Sequence, residues 1–150
     1  LKERQKFRGT AIDISKKALN IAKYNAKIHH LSNRIKFYKS SVDNFFKHKY
    51  DLVVSNPPYI SRLKIKYLDK DILGFEPIQA LEGGIDGFNV YSKIVKKSSM
   101  LLKVGGKLVL EIGFDQKFEM LKLLNKNNFF VNKIVKDYGG RDRCVICTKL

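Results

Sequence analysis

Asn56, Pro57, Pro58 and Tyr59 end an apolar run in the stretch VVSNPPYISR, residues 53–62. Proline has no N–H to donate to a strand ladder and restricts the residue before it to extended backbone. Two in succession make a stiff corner with a carboxamide on one side and a phenol on the other. A strand-terminating turn would use the same residues, so the surroundings must decide whether the amide serves a ligand. A second polar position, Asp13, closes the run FRGTAIDI. A carboxylate at a strand end suits the paired hydroxyls of a ribose. Beside Ser15, a good N-cap residue, it equally suits helix capping. Both positions fall where open α/β sheets bind ligands, beyond the carboxyl ends of the strands.

Other reactive residue types carry less. Cys144 and Cys147 form a C-x-x-C pair, a spacing used by redox and zinc sites. The stretch RCVICTK reads as a strand, however, and residues three apart on a strand point to opposite faces. With no second cysteine pair and no ligand spacing among His29, His30 and His48, no metal site is expected. Buried thiols in a reducing cytoplasm are the expectation.

The elements that must hold these residues alternate. After FRGTAIDI, Ala18, Ala22 and Ala26 recur every four residues with Leu19 and Ile21 beside them, predicting a helix packed closely on a sheet. IKFYKS is the next strand, NFFKHKY a loop or single helical turn. YDLVVSN has a continuous apolar core, as in a strand buried on both faces. Residues 60–87 are irregular for long enough to suggest a functional excursion. Tyr91, Ile94, Val95, Leu101 and Leu102 then predict an amphipathic helix closed by Gly105 and Gly106, followed by the strand KLVLEIG. DQKFEMLKLLNKN predicts a helix with Phe118, Leu121 and Leu124 on one face. FFVNKIVK and RCVICTK are joined by YGGRD, too short for a crossover, so they should pair antiparallel at one edge. The class is an α/β open sheet, mostly parallel, covered on both faces.

The 150 residues carry a formal charge of +16. Such a balance suits an acidic partner such as RNA, although a lysine-rich composition alone also produces it. No apolar run is long enough to span a bilayer, and the charged opening LKERQKFRGT lacks the apolar core of a secretory signal.

Taken in order, TAIDISKKALNIAKYNA, YDLVVSNPPYI, GFEPIQALEGGIDGFNVYSKI, GGKLVLEIG and KDYGGRDR closely resemble the HemK/PrmC family. Its members are S-adenosylmethionine-dependent methyltransferases that modify a glutamine of peptide chain release factors on the side-chain nitrogen. The resemblance runs through essentially the whole chain. N-P-P-Y alone is shared with enzymes that methylate exocyclic amines of nucleic-acid bases. The FEP to GGIDG segment is what points to the release-factor branch.

The resemblance implies a Rossmann-like class I methyltransferase sheet and a set of roles. Asn56 and the Pro57 carbonyl would accept the two N–H bonds of the substrate amide. Pro58 would stiffen the corner, and Tyr59 would pack against the flat amide. Asp13 would hold the cofactor ribose. Ser41 and Val42 stand where the family usually places an acid and its neighbour against the adenine, so backbone amides would serve there. Asn56 would also adjoin the cofactor. Glu76 and the 82–87 loop would shape the substrate entrance, Glu76 being equally suited to a structural ion pair. Glu111 acquires no role. Residues 1–9 match the helix that follows the family's glycine-rich cofactor loop. The expectation is therefore a partial methyltransferase domain over 1–150, without that loop or the first strand. The release factor is the implied partner, with RNA contact through the basic surface as a further one and no membrane. Two alternatives stay open: methylation of a nucleic-acid amine, and a non-catalytic remnant.

Overall fold

Ser15 starts the first long helix in the way its type predicts: its Oγ accepts from the Ala18 N–H at 3.2 Å. The helix, α1 (Lys16–Ile28), buries Leu19 and Ala26. Ile21, expected on the same face, is 62% exposed. At 100° per residue it lies about 200° around the helix from Leu19, so it faces away. Preceding α1 is β1 (Gly9–Asp13), which pairs in parallel with β2 (Ile35–Lys39).

The computed structural model describes residues 1–47 and 49–150. His48, among the histidines considered as ligands, lies outside the described residues. Within them the chain forms two compact units, Leu1–Phe46 and Lys47–Leu150. The first holds the two-stranded sheet β1–β2, with Phe45 buried and packed at a tilt against Tyr38.

The second holds a four-stranded sheet in the order β3-β4-β6-β5. Strand β3 (Tyr50–Ser55) runs parallel to β4 (Leu102–Glu111). Strand β6 (Asp142–Lys149) pairs antiparallel with both β4 and β5 (Phe129–Lys136). The expected antiparallel pair of terminal strands is present, with β5 at the edge. The pairings are as often antiparallel as parallel, because β6 returns into the sheet beside β4. Strand β3 is not the doubly covered strand its apolar run predicts: Leu52 is 44% and Val54 66% exposed. Among the described residues it bonds to one neighbour, β4, and forms an edge of its sheet.

Leu102, Leu108, Leu110, Val145 and Cys147 on the sheet, with Tyr91, Ile94, Val95, Met120 and Leu124 from helices, make the core of this unit. The helices are α5 (Asn89–Leu101) and α6 (Lys117–Lys126). Phe118, expected with the core face of α6, is 75% exposed; Met120 takes that face instead, about 200° around the helix. Helix α5 ends earlier than Gly105 and Gly106. Those glycines fall inside β4, where a register shift accommodates them and Gly105 takes a φ of +77°. Cys147 is buried and Cys144 half-buried, on opposite faces as their spacing requires. Burial is the main cause that pushes the Cys147 thiol up to about 12, so it stays protonated.

Candidate functional site

The corner follows directly from the end of β3. Ser55 is the last residue in register, opposite Leu110 of β4. Pro57 is buried, Pro58 and Tyr59 are half-buried, and Asn56 is exposed. Among the described residues neither the Asn56 carboxamide nor the Pro57 carbonyl has a hydrogen-bond partner. The arrangement leaves two acceptors open on a segment whose backbone is already restricted.

The rest of the corner is tied down. The Tyr59 carbonyl accepts from Gln116 Nε2 at 2.9 Å, and Gln116 Oε1 accepts from the Gly113 N–H at 3.0 Å. Tyr59 donates its hydroxyl proton to Glu111 Oε1 at 3.2 Å, and Arg143 Nη1 donates to the same hydroxyl at 3.3 Å. The Tyr59 ring lies nearly parallel to that of Tyr91, centroids 6.4 Å apart. Tyr91 is fully buried, with its hydroxyl directed at the Glu111 carbonyl, 3.1 Å away, and at Gln116 Oε1, 3.3 Å away. Burial first, and then the charge of Glu111, push the Tyr59 phenol above its ordinary value. Burial does the same to Tyr91. Both remain donors near neutral pH.

Beyond Tyr59 the chain makes an excursion through three short helices, α2 (Arg62–Ile65), α3 (Lys70–Phe75) and α4 (Ile78–Leu81). Its ends are stitched together: the Ile60 N–H donates to the Leu81 carbonyl at 3.0 Å, and the Gly83 N–H to the Ile60 carbonyl at 2.9 Å. Glu82 pairs with Arg62 at 2.6 Å. Gly87, at φ +84°, passes so close that a Cβ there would sit 2.4 Å from the Tyr59 carbonyl oxygen. The 82–87 loop thus packs against the corner. Glu76 is exposed at the end of α3, and its carboxylate makes no ion pair among the described residues.

In the first unit, Asp13 Oδ1 accepts from the Ser15 N–H at 2.7 Å, so the carboxylate does support the start of α1. That leaves its second oxygen for another donor. Asp13 stands opposite Lys39, and its carbonyl accepts from the Ser40 N–H at 3.1 Å. The Ser41–Val42 turn therefore leaves β2 beside the carboxyl end of β1. The backbone N–H groups of Ser41 and Val42 have no partner among the described residues. Ser41 Oγ accepts from the Asn44 N–H at 3.4 Å.

Reading the sequence left Glu111, Gln116, Arg143 and Asp137 without functions. Glu111 carried a signal, an acid at a strand end. Arg143 and Asp137 lay within the KDYGGRDR stretch of the resemblance. Gln116 carried none, because its partners are 57 residues away at Tyr59 and 25 away at Tyr91. No group of metal-ligating side chains occurs among the described residues. An open cleft of about 540 Å³ between Phe88 and Leu123 contains none of the corner residues.

Comparison with known proteins finds relatives and structural neighbours over most of the chain. A family model described as the methyltransferase small domain matches residues 1–73. A release factor glutamine methyltransferase of Fusobacterium nucleatum is 41% identical over 144 residues, which cover 93% of this chain and 40% of that protein. One from Clostridium botulinum is 39% identical over 140 residues, covering 91% of this chain and 50% of that protein. A bifunctional methyltransferase of Rickettsia felis is 36% identical over 140 residues, covering 93% and 27%. Among solved structures, a methyltransferase from Pyrococcus furiosus superposes with a TM-score of 0.68 at 16% identity, covering 95% of this chain and 62% of that one. TrmN from Thermus thermophilus gives 0.63 at 21% identity, covering 95% and 36%.

The fold is that of the class I S-adenosylmethionine-dependent methyltransferases. Within that class, relatives 36–41% identical over nearly the whole of this chain are named release factor glutamine methyltransferases, the activity of the HemK/PrmC family that the sequence resembles. The chain spans 40% of the length of the Fusobacterium relative and 50% of the Clostridium one. The residues of the first unit fit the family's cofactor, S-adenosylmethionine. Asp13 has an oxygen to offer a ribose, and the adjacent turn has unpartnered N–H groups to offer an adenine.

Proposed function

We propose that the protein carrying this segment transfers a methyl group from S-adenosylmethionine to the side-chain nitrogen of a glutamine in a peptide chain release factor. The observation that carries the reading is the 56–59 corner, with two open acceptors on an anchored backbone. A carboxamide nitrogen is a poor nucleophile because its lone pair is delocalised into the carbonyl. No His, Lys or Cys occurs within residues 53–62 to remove a proton outright. Asn56 Oδ1 and the Pro57 carbonyl, each accepting one N–H of the substrate, shift electron density onto that nitrogen as the transition state forms. Tyr59 offers its ring to the flat amide. Asp13 and the Ser41–Val42 turn hold the nucleoside. When bound, S-adenosylmethionine supplies the electrophilic methyl group.

Glu76 and the 82–87 loop form the substrate entrance in this reading. Leu63, Tyr67 and Phe75 on the same excursion are exposed, as suits a face that receives a protein loop. Release factors place the reaction in the cytoplasm. No helix among the described residues is long and apolar enough to cross a membrane. The +16 charge favours contact with RNA around the same substrate.

The test is to incubate the complete gene product with labelled S-adenosylmethionine and either release factor or transfer RNA. Label on a release-factor glutamine is expected. Label only in RNA would overturn the assignment in favour of a base amine.

A further inference from the structure

Two prolines stiffen the corner, but stiffness does not aim it. Proline fixes its own φ and leaves the direction of the whole segment to whatever holds its ends. One end is β3. The other is Tyr59, and the structure holds it at three points. Gln116 holds the carbonyl, Tyr91 lies against the ring, and the hydroxyl sits between an acid and a base.

The acid and the base come from different strands. Glu111 ends β4, one residue past the Ser55–Leu110 pair, so it stands beside Asn56 at the carboxyl edge of the sheet. Arg143 lies on β6, and its carbonyl accepts from the Ile112 N–H at 2.8 Å. Its guanidinium is itself held by Asp137, whose Oδ2 accepts from Nη2 at 3.2 Å and from Nε at 3.3 Å. Asp137 in turn closes the tight turn before β6, its Oδ1 accepting from the N–H groups of Gly139 and Arg141. The result is a directional chain from that turn through Arg143 to the Tyr59 hydroxyl, which donates onward to Glu111. Tyr59, Glu111 and Arg143 are all half-buried, where charged hydrogen bonds are stronger than at a fully wetted surface and an unpaired member is costly.

We propose that Glu111, Arg143 and Gln116 are positioning residues for methyl transfer: by fixing the hydroxyl and carbonyl of Tyr59, they aim the Asn56 and Pro57 acceptors at the substrate nitrogen. This rests on reading the corner as a methyl-transfer site and leaves the identity of the methyl acceptor aside. A misplacement of about 1 Å at a reacting centre can cost on the order of a hundredfold in rate, so anchors that touch no substrate still control turnover.

The experiment uses the complete gene product with Tyr59→Phe, Glu111→Gln and the two combined. Amide hydrogen exchange reads the corner without reference to any substrate. In each variant the Ile60 amide, which donates to the Leu81 carbonyl, should exchange about tenfold faster, while those of Leu108 and Leu110 in the core stay unchanged. Turnover is measured on whichever acceptor, release factor or transfer RNA, the unaltered protein methylates. It should fall by roughly ten- to a hundredfold in each single variant, with cofactor affinity unchanged. The double variant should be no worse than the worse single one. The unaltered protein's choice of acceptor judges the substrate assignment by itself. Unchanged exchange at Ile60, unchanged turnover, or losses that multiply in the double variant would overturn the positioning role. Faster exchange throughout the core would overturn it too, by showing a general loss of stability.

Discussion

The side-chain amide of Gln116 donates to the carbonyl of Tyr59 at 2.9 Å, joining residues 57 apart in sequence. Its oxygen accepts from Gly113 and lies within reach of the Tyr91 hydroxyl. One side chain thereby ties the corner after β3 to the loop after β4. Gln116→Ala strands these groups in a half-buried setting and should cost about 1–3 kcal/mol of stability. Denaturant melts of the complete gene product measure it; a loss below a few tenths would show that water replaces the amide.

Gly87→Ala should be more damaging than Gly105→Ala, although both glycines have positive φ. Gly105 has open space where a Cβ would go, so only backbone strain of about 1–2 kcal/mol applies. At Gly87 the new methyl would meet the Tyr59 carbonyl, adding overpacking for a total of about 3 kcal/mol or more. Thermal melts of the two variants side by side test the order.

Asn56→Ala should leave cofactor affinity nearly unchanged and reduce turnover by roughly two to three orders of magnitude, the loss expected for one preorganised transition-state group. Lys64→Ala is the contrast. Lys64 pairs with Asp115 at 2.7 Å, but both are exposed, and such a pair contributes within about 1 kcal/mol. Steady-state kinetics with a cofactor titration separate the two effects. Normal turnover in Asn56→Ala would rule out the open acceptors as the catalytic element.

Asp137 links the corner to pH. Hydrogen bonds from the turn backbone, chiefly the Arg141 N–H, and from Arg143 hold its carboxyl below the ordinary value. The folded state therefore binds fewer protons than the unfolded one in acid. The contribution is fully present above the ordinary carboxylate range and is lost as pH falls through the lowered folded value. Asp137→Asn should flatten the acid limb of stability against pH, with little change in its slope near neutrality. Melts across about pH 2 to 7 give that slope.

Met120→Ala and Phe118→Ala test the facing of α6. Met120 is buried in the core, and its truncation should cost about 2–5 kcal/mol. Phe118 is mostly exposed, so its loss should stay within about 0.5 kcal/mol. The reverse order would mean that α6 packs through the other face.

Local pattern was enough for much of this protein. Alternating apolar runs, Ser15 as an N-cap and the short YGGRD connection determine the strands, the helices and the antiparallel terminal pair, because each depends on neighbours within a few residues. The corner was legible for the same reason: prolines restrict backbone wherever they stand. Facing and pairing were not local. Ile21 and Phe118 were placed on the wrong sides of their helices because apolar character alone does not say which of two faces meets a sheet. The apolar run of β3 suggested cover on both faces, yet edge position depends on which strands pair, and pairing is decided between distant segments. Tertiary structure alone brought Glu111, Gln116 and Arg143 to Tyr59. Hydrogen bonds need atoms within about 3 Å of one another, and no spacing along a chain encodes a distance that three strands and a loop must close together.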